Sequence, residues 1–180
     1  VITPLSEFGT GAILINDRGT IEYVGPETAI LDQRARRIDV SGKIVAPGLI
    51  DIHTHGGVGF TFYVADDDLT RLHSELDRYS RWVASRGTTG FLCSIAATTA
   101  ESLLRLVSAF ADALDQGVGG AEALGLHVEG PFVNPRRRGA LSAAWLRAPS
   151  LDEAKALIEA SRGWIRQTTM APELPGAMEV

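Results

Sequence analysis

Apolar residues recur along this chain in two rhythms, and the change from one to the other falls near residue 48. Residues 12–15 and 20–24 are rich in β-formers and flank Asn16-Asp17-Arg18-Gly19, a polar turn whose closing glycine accepts positive φ. This predicts a hairpin. Residues 37–40 turn at Ser41-Gly42 into 43–46, a second pair of short antiparallel strands. Pro47-Gly48 then breaks the pattern, and from Leu49 onward apolar runs alternate with amphipathic stretches, the grammar of parallel β/α units. The expected organisation is therefore a β segment over residues 1–48 and an α/β segment over 49–180.

Strands are predicted at 49–53, 89–94, 123–129 and 165–170. Between the first two, Leu69, Leu72, Leu76, Tyr79 and Val83 step by three and four and lay one apolar stripe on a helix that ends near Arg86-Gly87. After the second strand, Thr98-Thr99-Ala100-Glu101 has capping-box spacing, followed by Leu103, Val107, Phe110 and Leu114 as a buried face. Ser150-Leu151-Asp152-Glu153 opens a third helix in the same way, with Ala154, Leu157 and Ile158 turned inward. A closed eight-stranded barrel takes roughly 250 residues, and four units supply about half of one. Such a sheet has two unpaired edges and an uncovered face, which is costly. The expectation is the front part of a larger protein rather than a small open sheet complete in itself.

Composition narrows the function classes. Of 180 residues, 45% are hydrophobic and 22% charged, the balance of a globular chain. Lys plus Arg number 17 against 22 Asp plus Glu, a net charge of −5, so no global field gathers nucleic acid or anionic lipid. No run without charge is longer than residues 87–100, which is too short and too rich in Thr and Gly to cross a bilayer. With no basic-apolar leader at the start, the expected compartment is the cytoplasm, although the first residue, Val1, is that of a trimmed start. The single cysteine, Cys93, forbids an internal disulfide and a thiolate cluster, so any metal must be held by His, Asp and Glu. On its apolar strand, with no base beside it in sequence, it reads as a small core residue.

Asp51-Ile52-His53-Thr54-His55-Gly56-Gly57 carries the strongest chemical signal. Positions two apart on a strand share a face, so Asp51, His53 and His55 project together, and two imidazoles at that spacing reach one divalent cation. They stand at the C-terminal end of the first parallel strand, where the active-site loops of β/α proteins gather, and Gly56, Gly57 and Gly59 leave room for an ion and a ligand. Gly125-Leu126-His127-Val128-Glu129-Gly130-Pro131 is the second signal. Leu124, Leu126 and Val128 face one way and His127 with Glu129 the other, which brings the carboxylate out at the rim that carries the histidines. His127 lies deeper and reads as a hydrogen-bonded core histidine near the site.

These residues resemble a family. The run from Pro47 to Gly57 is similar to the first metal-binding strand of the amidohydrolase superfamily, and within it Gly125 to Phe132 with Met170-Ala171-Pro172-Glu173 resembles the N-acetylglucosamine-6-phosphate deacetylases. The resemblance implies the first half of an amidohydrolase-type (β/α)8 barrel, preceded by strands of a small β-sandwich. It implies removal of acetyl from an N-acetylated amino-sugar phosphate, with one or two divalent ions, zinc or iron. His53, His55 and Glu129 would be the metal ligands, Asp51 and His127 would lie just behind them, and Arg138, Gly139 and Ala140 would meet the substrate. Glu129 takes the place that a carboxylated Lys on the fourth strand fills in most amidohydrolases; residues 165–171 contain no Lys, which disfavours a relative acting on a cyclic amide or nucleobase. The implied partners are a small sugar phosphate and a second copy of the full-length chain, with no nucleic acid and no membrane.

The same resemblance places two further metal-binding histidines after strands five and six and the catalytic Asp at strand eight, all outside these 180 residues. No catalytic residue is therefore assigned within the chain, and residues 1–180 alone are expected to be inactive; a non-catalytic metal-binding fragment is the competing class. Leu141 stands where relatives usually carry a ligand-contacting His, which bears on the sugar. Other features read as structural. His73 falls on the polar side of the first long helix, Asp66-Asp67-Asp68 reads as helix-start acids and Glu173 as a loop residue, while Arg136-Arg137-Arg138 reads as a solvated run with contact to a sugar phosphate or a dimer surface as its alternatives. Asn134-Pro135 sets a turn, and Phe132 walls the site.

Overall fold

The computed structural model describes residues 1–30, 35–62 and 69–180. The chain divides into two compact units, Val1–Gly48 and Leu49–Val180. In the first, β1 (Gly11–Ile15) and β2 (Ile21–Pro26) pair antiparallel around the predicted turn. Asn16 closes that turn: its Oδ1 accepts from the backbone N–H of Arg18 and of Thr20, each at 3.0 Å. The expected strands at 37–40 and 43–46 are not formed. Residues 41–43 turn, with Lys43 N–H donating to the Val40 carbonyl at 3.0 Å, but no ladder follows. Ile38 and Ile44 stand 72% and 80% exposed, and the contact of the second run with another segment is a single backbone bond, Ile2 N–H to the Val45 carbonyl at 2.8 Å, which does not extend into a ladder among the described residues.

In the second unit the alternation is realised. β3 (Leu49–Thr54), the short hairpin strands β4 (Gly56–Gly57) and β5 (Phe60–Thr61), α1 (Leu72–Ala84), β6 (Thr88–Ala96), α2 (Ala100–Asp115), β7 (Glu122–Glu129), α3 (Leu151–Ser161) and β8 (Ile165–Thr169) follow in order. β3, β6, β7 and β8 form one parallel sheet in that same order. A doubly wound sheet reverses its strand order once; this one does not, and α1 packs on α2 and α2 on α3, so the helices form one layer. That is the strand order and layering of a partial (β/α)8 barrel.

The helix-facing side of the sheet is apolar. Phe91, Cys93 and Ile95 of β6 and Leu126 and Val128 of β7 pack with Leu76, Tyr79, Leu103, Val107 and Phe110. Phe62 sits at the centre of this core, fully buried, with rings of Tyr79, Phe110 and Phe91 at 5.2, 5.7 and 6.4 Å between centroids. Two helix details depart from the sequence expectation. The cap of α2 is Thr99, not Thr98: its side chain accepts from Ser102 N–H at 3.2 Å. On α3, Ser150 caps as expected and Leu157 is buried, but Ile158 is 59% exposed, because the inner stripe of this short helix is only one residue wide. His73, expected in solvent, is half-buried and donates from Nε2 to the Gly117 carbonyl at 2.8 Å, which ties α1 to the end of α2. Asp66-Asp67-Asp68 lies outside the described residues. Among the described residues no helix is long and apolar enough to cross a membrane.

The turn into β8 is fixed by charge. Arg162 donates to Asp112 at 2.7 Å and to Asp115 at 3.0 Å, and Trp164 Nε1–H donates to Asp115 at 2.7 Å. The indole and guanidinium donors hold the Asp115 carboxyl below its ordinary range. A lowered folded value means the interaction is complete at neutral pH and is lost as pH falls through that value. The Trp164 indole N–H resonance is therefore expected to stay fixed through the usual Asp titration range and move only in stronger acid, read by NMR. Burial raises the Cys93 thiol well above its ordinary value, so Ellman's reagent should find no thiol in the native protein and one after denaturation. Phe62→Ala should lower the unfolding free energy by about 3–5 kcal/mol in a urea titration.

Candidate metal centre

His53 is on β3, His55 follows it directly, and Glu129 ends β7. β6 lies between the two strands, yet the three side chains meet across it. His53 Nε2 is 3.6 Å from Glu129 Oε1 and His55 Nε2 is 3.2 Å from Glu129 Oε2. One ligand atom from each lies within 4.8 Å of the others. Two donors on one tetrahedral zinc, with bonds of about 2.0–2.2 Å, stand roughly 3.3–3.5 Å apart. The two measured separations straddle that value, and the His-His-Glu group fits a divalent metal site.

The donor chemistry points the same way. His55 Nδ1 is 2.9 Å from the Ser94 carbonyl oxygen, which can only accept, so Nδ1 carries a proton and the ring is held with Nε2 toward Glu129. Nε2 and the carboxylate oxygen stand 3.2 Å apart, a gap that a proton or a metal ion bridges. The carboxylate is only 19% exposed, which removes much of the water that would otherwise screen it.

Backbone geometry delivers these groups. Directly after His55, the β4–β5 hairpin folds back and Phe62 N–H donates to the His55 carbonyl at 3.0 Å, so the ring buried in the core anchors the ligand strand. Gly56 takes φ +99°, and a Cβ there would stand 2.4 Å from the Phe60 carbonyl oxygen. The glycines after His55 thus make a tight hairpin rather than the open space read from sequence. Gly130, at φ +88° straight after Glu129, turns the chain away from the rim.

The remaining sequence candidates fall in three places. Asp51 is exposed beside the cluster, its Oδ1 accepting from His53 N–H at 3.1 Å. His127 is fully buried, and its ring meets that of His53 edge-on with centroids 4.6 Å apart. Burial first, then the neighbouring His53, pushes its pKa below the usual imidazole value. Arg138 donates to the Leu141 carbonyl of its own loop, while Gly139 and Ala140 are exposed. Leu141 is buried with Ala96, Ala97 and Val133. Phe132 is buried too, and Glu173 accepts from Asn134 Nδ2 at 2.9 Å, joining the loop after β8 to the loop after β7.

Sequence reasoning missed the residues that brace the rim. Arg147 donates to both oxygens of Glu153 and to the carbonyls of Thr98 and Trp145, the latter two at 2.8 Å, so the long loop after β7 is clamped to the loop after β6. Ser94 and Thr169 bond to His127. A serine inside an otherwise apolar strand was the one available signal for Ser94.

No family model matches the chain. It is 33% identical over 177 residues to the N-acetylglucosamine-6-phosphate deacetylase of Bacillus subtilis, covering 96% of this chain and 43% of that protein. It is 35% identical over 161 residues to the protein of that name from Homo sapiens, covering 86% and 38%. Among solved structures, the deacetylase from Mycobacterium smegmatis superposes with a TM-score of 0.67 at 32% identity, over 88% of this chain and 42% of that one. That from Pasteurella multocida gives 0.71 at 25% identity, over 89% and 40%. The chain thus spans about two fifths of the length of the relatives it matches.

Because position 56 combines a positive φ with a blocked Cβ, Gly56→Ala should destabilise the protein by at least about 1–3 kcal/mol, read by urea denaturation.

Proposed function

From the premise that this chain is a homologue of the N-acetylglucosamine-6-phosphate deacetylases, we propose that it carries the metal-binding part of an enzyme that hydrolyses the acetamide of an N-acetylated amino-sugar phosphate. The observation that carries the reading is the meeting of His53, His55 and Glu129, three metal-ligand side chains from two strands, at the C-terminal rim of a parallel sheet.

In this reading His53, His55 and Glu129 would hold a divalent ion. When bound, it would supply Lewis-acid polarisation of the acetamide carbonyl and a water of lowered pKa. The chain's own contribution is orientation. The Ser94 carbonyl holds the His55 ring through Nδ1, with Nε2 turned toward Glu129. Asp51 fixes the β3 backbone at His53. The rim loops, clamped by Arg147, would limit water access above the site. The carboxylate that takes the proton from water and passes it to the leaving amine belongs, by the resemblance, to an Asp outside residues 1–180.

Metal content by elemental analysis tests this. The protein equilibrated with zinc and desalted should retain at least one equivalent, and His53→Ala and Glu129→Ala should each reduce retention by tenfold or more; unchanged metal in both would refute the assignment. With N-acetylglucosamine 6-phosphate as substrate, residues 1–180 should bind metal without releasing acetate. Turnover by this chain alone would show that the proton-transfer group lies within it.

A further inference from the structure

One polar row crosses the sheet on the side away from the helices. His127 of β7 is fully buried, as is Ser94 of β6. The imidazole spans three strands: its Nδ1 is 2.9 Å from Ser94 Oγ and its Nε2 is 2.8 Å from Thr169 Oγ1 on β8. Both ring nitrogens are satisfied, so the ring is locked in its plane. The ring of His53 rests against it at 4.6 Å and 79°.

The two histidines of the triad differ in how they are held. His55 is fixed directly, by the Ser94 carbonyl. His53 stands on an edge strand with its side chain 48% exposed, and among the described residues its ring meets His55, His127 and Glu129. The second torsion of a histidine is broad and weakly determined unless packing sets it. The locked plane of His127 supplies that packing. Ser94 thereby serves both ligands through different atoms, His55 by its carbonyl and His53 by its hydroxyl through His127.

We propose that Ser94 and Thr169, acting through His127, are positioning residues that hold the His53 ring in the orientation that shares one cation with His55 and Glu129. The inference rests on the metal reading above and adds to it a hydroxyl pair that carries no ligand atom. Ser94→Ala separates the roles, because it removes the hydroxyl and keeps the carbonyl that orients His55.

The test is zinc affinity of the folded protein, by competition with a chromophoric chelator, in Ser94→Ala, Thr169→Val, Thr169→Ser and His53→Ala, with a thermal melt of each metal-free protein. Loss of an outer partner of a metal-bound histidine costs about 10–100-fold in affinity. Ser94→Ala and Thr169→Val should fall in that range while still melting cooperatively, and Thr169→Ser should return close to the starting affinity. If Ser94→Ala and Thr169→Val keep full affinity while His53→Ala loses it, the inference is overturned and the metal reading stands. If His53→Ala binds zinc as tightly as the parent, the metal reading falls and takes the inference with it. A Thr169→Ser affinity as poor as that of Thr169→Val also overturns it, since the hydroxyl would then not be the operative group.

Discussion

The fixed approach of an imidazole to a carboxylate is the constraint around which the rest of this molecule is arranged. His55 Nε2 and the Glu129 carboxylate lie 3.2 Å apart, with the Ser94 carbonyl holding the other ring nitrogen. Rotating the imidazole away would break that bond. The pair calls for a positive charge between nitrogen and oxygen, a proton or a metal ion, and the fold holds the two groups in place for it. It does so with two layers of different chemistry on one sheet: an apolar side packed under three helices, and a polar side where Ser94, His127 and Thr169 satisfy one another. The packed side supplies the rigidity, and the polar side converts it into direction.

The link between these layers runs through the end of β3. Thr54 points to the helix side, where its hydroxyl meets Tyr79 OH at 2.8 Å, while His53 and His55 reach the triad. Phe62, three aromatic contacts deep in the core, holds the His55 carbonyl through its own N–H. A ligand strand at the edge of the sheet would ordinarily be its least constrained element. Here it is pinned on one side by the parallel pairing with β6 and at its end by a hairpin that plugs an aromatic ring into the core.

What the letters revealed follows from how local each signal was. The parallel strands were legible because a two-residue alternation and flanking glycines are written within six to nine residues, and the His53, His55 and Glu129 convergence because each sits at the tip of such a strand. Residues 37–46 misled because β-forming residues without a partner strand make no sheet. The α2 cap was displaced by one residue, since Thr98 and Thr99 offer the same chemistry and only backbone geometry chooses between them. Ser94 and Thr169 were invisible for a deeper reason. Their role depends on the register of three strands, with Ser94 opposite His127 and Thr169 opposite Glu129, and register is a property of packing rather than of any one segment.

The loop after β7 shows where resemblance and physics part. Arg138, placed by resemblance at the substrate, spends a guanidinium N–H on the Leu141 carbonyl, and that donation helps hold Leu141 inward. Leu141 in turn closes a small apolar cluster with Ala96 and Ala97, the residues that end β6 and begin the next rim loop. An imidazole in that cluster would bury a polar ring without a partner, so the leucine and the inward fold of the loop are mutually consistent. The cost is one fewer hydrogen-bonding group at the rim. Arg136 and Arg137 remain exposed on the outer turn of the same loop. The meeting of His53, His55 and Glu129, set at strand ends rather than in this loop, does not depend on which residue stands at position 141.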